Sequence, residues 1–426
     1  MQKNNPKVLN AWCLYDWANS VYALIISSTL FPVYYNNVTR KAFSGEEVHF
    51  LGLKVSNTVI YSYSISVGYL ILVLVLPLLS GIADYSGRKK SFMQFFTWVG
   101  GLSCSALFFF RGENIEFGVF FSMLAVLGYA GSLVFYNSYL SDIASKDRHD
   151  YLSAKGYAWG YIGSVILLLL ILPLVIFYKQ FGFAHELEAM RYGFLLTGVW
   201  WIGFAQITFY FLPTPQSSNS LQHLLLQGYK EIHKVFRMLQ DMPTLKVFLF
   251  SFFFYIMGVQ TVMFLAATFG EKEIRLSSEK LIITILLIQI LAIAGAYFFA
   301  WVSEKKGNRF SILSILLVWI GACFGAYFIQ SEYHFYTLAI IIGLIMGGIQ
   351  SLSRSTYSKL LPQDSPDTTS FFSFYDVSEK IAITLGTFVY GMVEHLSGSM
   401  RNSTIALASF FVIGFILLYK NKIENK

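Results

Sequence analysis

A charged or strongly polar side chain inside an apolar run is costly, so each one marks a place where a ligand, a proton or a buried partner sustains it. Four stretches of this chain set such groups at helical spacing. In Tyr15-Asp16-Trp17-Ala18-Asn19-Ser20, Asp16 and Asn19 are three apart and share a helix face. A carboxyl there can carry a proton or bind a cation; the alternative is an acid pinned to a neighbouring base or helix end. In Phe135-Tyr136-Asn137-Ser138, Tyr136 and Asn137 offer donors and acceptors to a cavity, and Asp142 beyond them suits a cap or an inter-helix bridge. In Gln350-Ser351-Leu352-Ser353-Arg354, Gln350 and Arg354 are four apart on one face. Arg stays protonated when buried, so Arg354 needs a counter-ion: Asp16, Asp376, Glu379, or a solute carboxylate gripped by its forked donors. Snorkelling to the membrane surface is the alternative. In Tyr375-Asp376-Val377-Ser378-Glu379-Lys380, Asp376 and Lys380 form an i,i+4 pair that can satisfy itself, leaving Glu379 over. Gln260 and Gln289 are single amides in apolar runs, a type that more often bonds a neighbouring helix.

Catalytic chemistry finds no such support. The seven histidines (His49, His149, His185, His223, His233, His334 and His395) are scattered over loops and run ends. Cys13, Cys104 and Cys323 lie in apolar runs, without zinc spacing or a disulfide framework, and read as buried small hydrophobes. No phosphate-binding glycine loop occurs. The sequence therefore predicts no enzyme, no metal and no cofactor, and any uphill work would draw on an ion or solute gradient.

The elements that hold these residues are membrane spans. Of the 426 residues, 55% are hydrophobic and 13% charged, against about 25% charged in soluble proteins. Apolar runs at roughly 11–35, 57–79, 91–110, 117–142, 157–178, 192–213, 247–269, 281–302, 310–329, 334–361, 376–394 and 401–420 predict twelve helices and no strands. The charge of +7 is not read as nucleic-acid binding, because the bases fall in alternate loops. With both termini inside, 21 of the 31 Lys and Arg face the cytoplasm. The outer segments 40–56 and 270–280 carry Glu46, Glu47, Glu271, Glu273 and Glu279 as well. Residues 1–213 and 247–426 form the expected six-helix bundles. In the 214–246 linker, Pro213, Pro215 and Ser-Ser-Asn-Ser at 217–220 end the sixth span. An amphipathic helix follows, with Leu221, Leu224, Leu225, Ile232, Val235, Phe236 and Leu239 on one face and Lys230, Lys234 and Arg237 around the rest.

The halves repeat. Ser80-Gly81-Ile82-Ala83-Asp84-Tyr85-Ser86-Gly87-Arg88-Lys89, between the second and third runs, aligns with Ala300-Trp301-Val302-Ser303-Glu304-Lys305-Lys306-Gly307-Asn308-Arg309 between the eighth and ninth. Acid matches acid (Asp84, Glu304), glycine matches glycine (Gly87, Gly307) and base matches base (Lys89, Arg309), about half a chain apart. Both segments are expected to be tight turns. The pair resembles the loop between helices 2 and 3, and its copy between helices 8 and 9, of the major facilitator superfamily. Asp84, Gly87, Arg88 and Lys89 match the pattern; Ser80 stands for a glycine and Tyr85 for a base. The resemblance implies an all-α membrane fold of two pseudo-symmetric bundles, a central cavity lined mainly by helices 1, 4, 7 and 10, and alternating access. It also implies that Asp84, Gly87, Arg88, Lys89, Glu304, Gly307 and Arg309 brace the inner ends.

A narrower likeness rests on the Tyr15–Ser20 stretch, Phe135-Tyr136-Asn137 with Asp142, Gly156-Tyr157-Ala158-Trp159-Gly160-Tyr161-Ile162-Gly163, and Gln350–Ser355 followed by Phe371–Tyr375. As a set these resemble the vacuole-effluxer-like branch, whose fungal members are autophagy-linked amino-acid exporters. The branch implies efflux of small amino acids or similar metabolites. Asp16, Asn19, Tyr136, Asn137, Gln260, Gln350, Arg354 and Glu379 are the expected cavity residues. For an amino-acid cargo, Arg354 would hold the carboxylate and Asp16 the ammonium, or Asp16 a coupling proton. The expected protein is a monomeric multi-pass carrier in the plasma membrane, contacting lipid and a small solute but no nucleic acid. A lipid or lysolipid facilitator and a non-transporting sensor or scaffold are the competing readings. Water access to Asp16 and Arg354 favours the carrier, a dry sealed bridge the scaffold, and a lateral opening lined by Phe and Leu the facilitator.

Overall fold

The computed structural model describes residues 3–45, 47–214, 224–362 and 365–421. Pro215, the 217–220 segment, Leu221, His223 and Glu46 lie outside the described residues, as does the side chain of Glu279. The apolar runs become helices because a helix satisfies its own backbone N–H and C=O groups, which hydrocarbon cannot do. The first span rises as α1 (Pro6–Val21), passes through a π-helical stretch (Tyr22–Thr29) and continues as α2 (Leu30–Phe43). Thr29 Oγ1 donates to the carbonyl of Leu24 and Ser28 Oγ to that of Ala23, each five residues back. Five more helices complete the first half: α3 (Asn57–Ser86), α4 (Lys89–Ala106), α5 (Ile115–Ile143), α6 (His149–Ile176) and α7 (Glu186–Phe211). After α8 (Leu224–Gln240), six form the second half: α9 (Pro243–Ile274), α10 (Ser278–Lys306), α11 (Asn308–Tyr327), α12 (Glu332–Leu360), α13 (Thr368–Ser397) and α14 (Met400–Lys420). Helix α9 thus begins inside the segment expected to be linker.

Ten of these helices are long and apolar enough to cross a membrane. The first span misses because the π stretch divides it into short pieces. Helix α13, at 30 residues, misses on polarity, since Asp376, Glu379 and Lys380 sit within it. Strands do occur: β1 (Glu47–Phe50) and β2 (Leu53–Ser56) pair antiparallel around Leu51 and Gly52. Both turn residues have positive φ, the requirement of a two-residue hairpin.

The halves meet along α3–α13 and along α6 against α10 and α12. Helices α3 and α10 are second in their halves, and α13 and α6 are fifth. Exchanging the halves therefore exchanges the α3–α13 and α6–α10 contacts, which is the pseudo-twofold symmetry. The first and last described segments lie at one face, where Asn4 N–H donates to Ile143 O and Asn421 Nδ2 to Thr244 O.

The two repeated segments are shorter turns than expected. Helix α3 runs through Ser86, leaving Gly87 (φ 66°) and Arg88 as the connection; Gly307 (φ 82°) alone joins α10 to α11. Gly81 is therefore helical, and its missing side chain serves packing instead: a Cβ there would sit 2.3 Å from Gly228 O of α8. Helix α8 lies on α3 through Gly228 and Val235, while Leu225, Leu226, Tyr229 and Phe236 stay exposed. Its apolar residues form two arcs, one facing protein and one outward. Lys234 bonds Glu231 and Asp367; burial would lower its pKa, but these carboxylates outweigh it and raise it.

Candidate functional site

Helices α1, α5, α6 and α12 bring five polar side chains to one point. Arg354 Nη1 and Nη2 each donate to Asp16 Oδ2 at 3.2 Å, and Nη1 donates to Asn137 Oδ1 at 3.3 Å. Its Nε donates to Ser153 Oγ and Nη2 to Ser153 O, both at 2.9 Å. Tyr136 Oη donates to Asp16 Oδ2 at 2.7 Å. The rings of Trp12, Tyr136 and Tyr157 stand 4.7, 5.5 and 4.2 Å from the guanidinium carbon, placing the cation against three π faces. Gly156 makes the approach possible: a Cβ there would lie 2.5 Å from Asp16 Oδ2 and 2.9 Å from Arg354 Nη2. Arg354 is 1% exposed, so it does not snorkel, and Asp16 is the counter-ion among those the sequence offered.

Of these, Asp16, Asn137, Tyr157 and Arg354 form the floor of a polar cavity of about 180 Å³ at the interface of the halves. Asp16, Asn137, Gln260, Gln350, Arg354 and Glu379 line it, together with Asp376 and Lys380. It extends away from the face that carries the termini, past Ser27 and the exposed Ser28 of the π stretch. Gln350 accepts from Tyr161 Oη. Gln260 Nε2 donates to Glu379 Oε1 at 2.8 Å and Lys380 Nζ to Glu379 Oε2 at 2.7 Å. The expected division on α13 is thereby reversed: Lys380 takes Glu379, stands 3.9 Å from Asp376, and leaves Asp376 over. Tyr136 is buried behind Asp16, outside the lining, and Asn19 is buried off the cavity.

On the terminus side the halves are bonded shut. Asp84 accepts from Thr369 N–H at 3.2 Å and Ser370 N–H at 2.6 Å, at the start of α13, where free amides and the helix dipole favour an anion. Lys89 bonds Asp142 and Thr368. The other contact line is anchored by an acid that the repeat did not point to. Asp150 of α6 accepts from Ser303, Asn308 and Lys359 of the second half. Of the expected second brace, Glu304 is exposed, and Arg309 bonds the carbonyls of Leu418 and Tyr419 inside its own half. The acid on this line is Asp150, not Glu304; Gly307 only makes the turn, and Arg88 is exposed. Ser153 and Asp150 escape hydropathy reading because they lie in a polar stretch at the start of α6, whereas Asp376 stands out in the sequence but its spacing assigns it to Lys380. The one available signal for the first two is that this polar stretch directly adjoins an apolar run.

A second cavity, about 60 Å³ and almost wholly apolar, lies within the second half between Phe269, Trp319, Phe335 and Tyr390. It touches none of the charged residues.

Two six-helix bundles that enclose a polar cavity and are clamped at one side define the major facilitator fold, a class of multi-pass membrane transporters. A family model described as vacuole effluxer Atg22 like matches residues 4–426, and the chain belongs to that family. The chain is 27% identical over 420 residues to an uncharacterized MFS-type transporter, YxiO, of Bacillus subtilis, covering 98% of this chain and 95% of that one. It is 20% identical to autophagy-related protein 22 of Pyricularia oryzae, covering 99% of this chain and 78% of the relative. Among solved structures, the human organic anion transporter MFSD10 superposes with a TM-score of 0.72 at 14% identity, covering 98% and 100% of the two chains; that likeness concerns the fold.

Proposed function

We propose that the protein is a secondary active transporter that exports a small polar organic solute, with amino acids the leading candidates, by alternating access. The observation that carries this reading is the polar cavity between the halves, with ion pairs at its floor and bonds closing one side. Asp16 and Arg354 line that cavity, which favours a carrier over a scaffold built on a dry bridge. The excess of Lys and Arg on the terminus side supports a cytoplasmic position for both termini, in the plasma membrane. The solute then reaches the cavity from the cytoplasm when the Asp84, Lys89 and Asp150 contacts release. The cavity residues are Asp16, Asn137, Gln260, Gln350, Arg354 and Glu379, with Tyr136 and Asn19 supporting α1 and α5. A solute carboxylate competes with Asp16 for Arg354, so binding itself loosens the link between α1 and α12.

The test is a thermal-shift screen of the purified protein against amino acids, peptides, sugars, nucleosides and lysolipids. A ligand of the folded state raises the melting temperature by mass action. A carboxylate-bearing solute that shifts the wild type but not Arg354→Ala is the expected result. Shifts confined to lysolipids would overturn it in favour of a lipid facilitator.

A further inference from the structure

The cavity is one positive charge short. It is lined by three carboxylates (Asp16, Asp376 and Glu379) and two bases (Arg354 and Lys380). Arg354 is committed to Asp16 and Lys380 to Glu379. That leaves Asp376, whose side chain is 1% exposed. Its Oδ1 stands 3.9 Å from Lys380 Nζ, beyond hydrogen-bond reach, and its Oδ2 has no hydrogen-bond partner. Among the described residues, one other cavity-lining atom is similarly left over: Gln289 Oε1 of α10, buried and also an acceptor. Both orphaned atoms therefore call for a donor, and one of them for a charge. The Asn137 amide and the distant Lys380 give Asp376 less than a full counter-charge, and a buried carboxylate so placed is sustained when something more neutralises it.

The groups facing Asp376 are few. Tyr375, Glu379 and Lys380 come from its own helix, Arg354 and Tyr357 from α12, Asn137 from α5 and Tyr157 from α6. Arg354 is already shared among Asp16, Asn137 and Ser153. Tyr157 and Tyr375 add aromatic surface to the same cavity, which suits a cation.

We infer that Asp376 is the cavity's cation-binding group, neutralised in the loaded state by a single positive charge that arrives as the solute's ammonium group or as a proton. The inference rests on the carrier reading above, and it moves the cationic role from Asp16, which is occupied, to Asp376. When a proton is the cation, it forms the O–H bond at Oδ2 on loading and returns to solvent on release.

Two measurements on the full purified chain separate the sources. Infrared spectra across a pH titration report a protonated-carboxyl band. A band that titrates and disappears in Asp376→Asn assigns the proton. In its absence, methylammonium chloride is expected to raise the melting temperature of the wild type, with binding about ten- to hundredfold weaker in Asp376→Asn, and tetramethylammonium, which lacks N–H donors, to act less. If Asp376→Asn does not fold, Asp376→Glu, which keeps a carboxyl, takes its place. A displaced band or retained methylammonium binding then supports the assignment, and an unmoved band overturns it. No titrating band together with no methylammonium effect also overturns it. That outcome leaves the carrier reading standing, because the solute screen on Arg354→Ala does not depend on Asp376.

Discussion

At the scale of single residues, the Asp16–Arg354 pair yields the sharpest expectations. Breaking a buried pair from one side strands a charge and costs about 3–5 kcal/mol, so Arg354→Ala and Asp16→Ala are each expected to lower the melting temperature strongly. The double variant Asp16→Ala/Arg354→Met is expected to recover part of that loss, because neither charge is then stranded; thermal melts of the three proteins check it. Gly156→Ala tests the fit around the pair. Its Cβ would fall 2.5 Å from Asp16 Oδ2, and overpacking of this kind costs about 1–3 kcal/mol. Asp16 was one of three acids the sequence offered Arg354, and the fold selects it; that a buried Arg354 needs a counter-ion was legible in the sequence. The division among Asp376, Glu379 and Lys380 was not. Helical spacing makes Asp376 and Lys380 neighbours, but it is silent about Gln260, which approaches from α9 and helps fix Glu379 beside Lys380.

At the scale of elements, the clamped side rests on two contact lines, α3–α13 and α6 against α10 and α12. Asp150→Ala removes the acceptor shared by Ser303, Asn308 and Lys359. It is expected to open this side, read as faster maleimide labelling of a cysteine placed at the buried Thr369 in a background with Cys13, Cys104 and Cys323 changed to Ser. Glu304→Gln is expected to leave the labelling unchanged, since Glu304 is exposed. The repeat in the sequence located both turns. Its second copy pointed to Glu304 because sequence alignment compares positions along the chain, whereas the structure supplies the matching acid from a different helix. The predicted fifth and eleventh spans start late for a related reason. The first turns of α6 and α13 hold Asp150, Ser153, Thr368 and Thr369, and these polar residues are buried because the opposite half provides their partners. Hydropathy scores a residue by its own polarity and cannot see that partner.

At the scale of the whole molecule, the two acids that clamp the terminus side, Asp84 and Asp150, both belong to the first half, and the donors they engage belong to the second. A double variant Asp84→Asn/Asp150→Asn is therefore expected to shift the population toward opening on this side by more than either single change. Distances between spin labels on the loops after α5 and after α12 check that shift. The two-bundle architecture was legible from the spacing of apolar runs and from the repeat. The closed side was not, because it depends on which partners the halves present to each other in one state of a cycle.

The π-helical stretch at Tyr22–Thr29 has a mechanical meaning of its own. A π turn holds one residue more than the α turn it replaces, so everything beyond it is set about 100° around the axis and about 1.5 Å along it relative to a regular helix. The first span is thus phased twice. Asp16, before the insertion, faces the cavity; Tyr34 and Tyr35, after it, donate to the carbonyls of Phe110 and Asn57. Moving the extra residue up or down the helix would rotate only the segment it crosses, like a thread turned within its nut, and so could reshape the cavity wall at Ser27 and Ser28 while both anchored ends stay in place. Deleting one residue from the stretch would fix the thread in a single setting, with either Asp16 or the two tyrosines turned away from their partners.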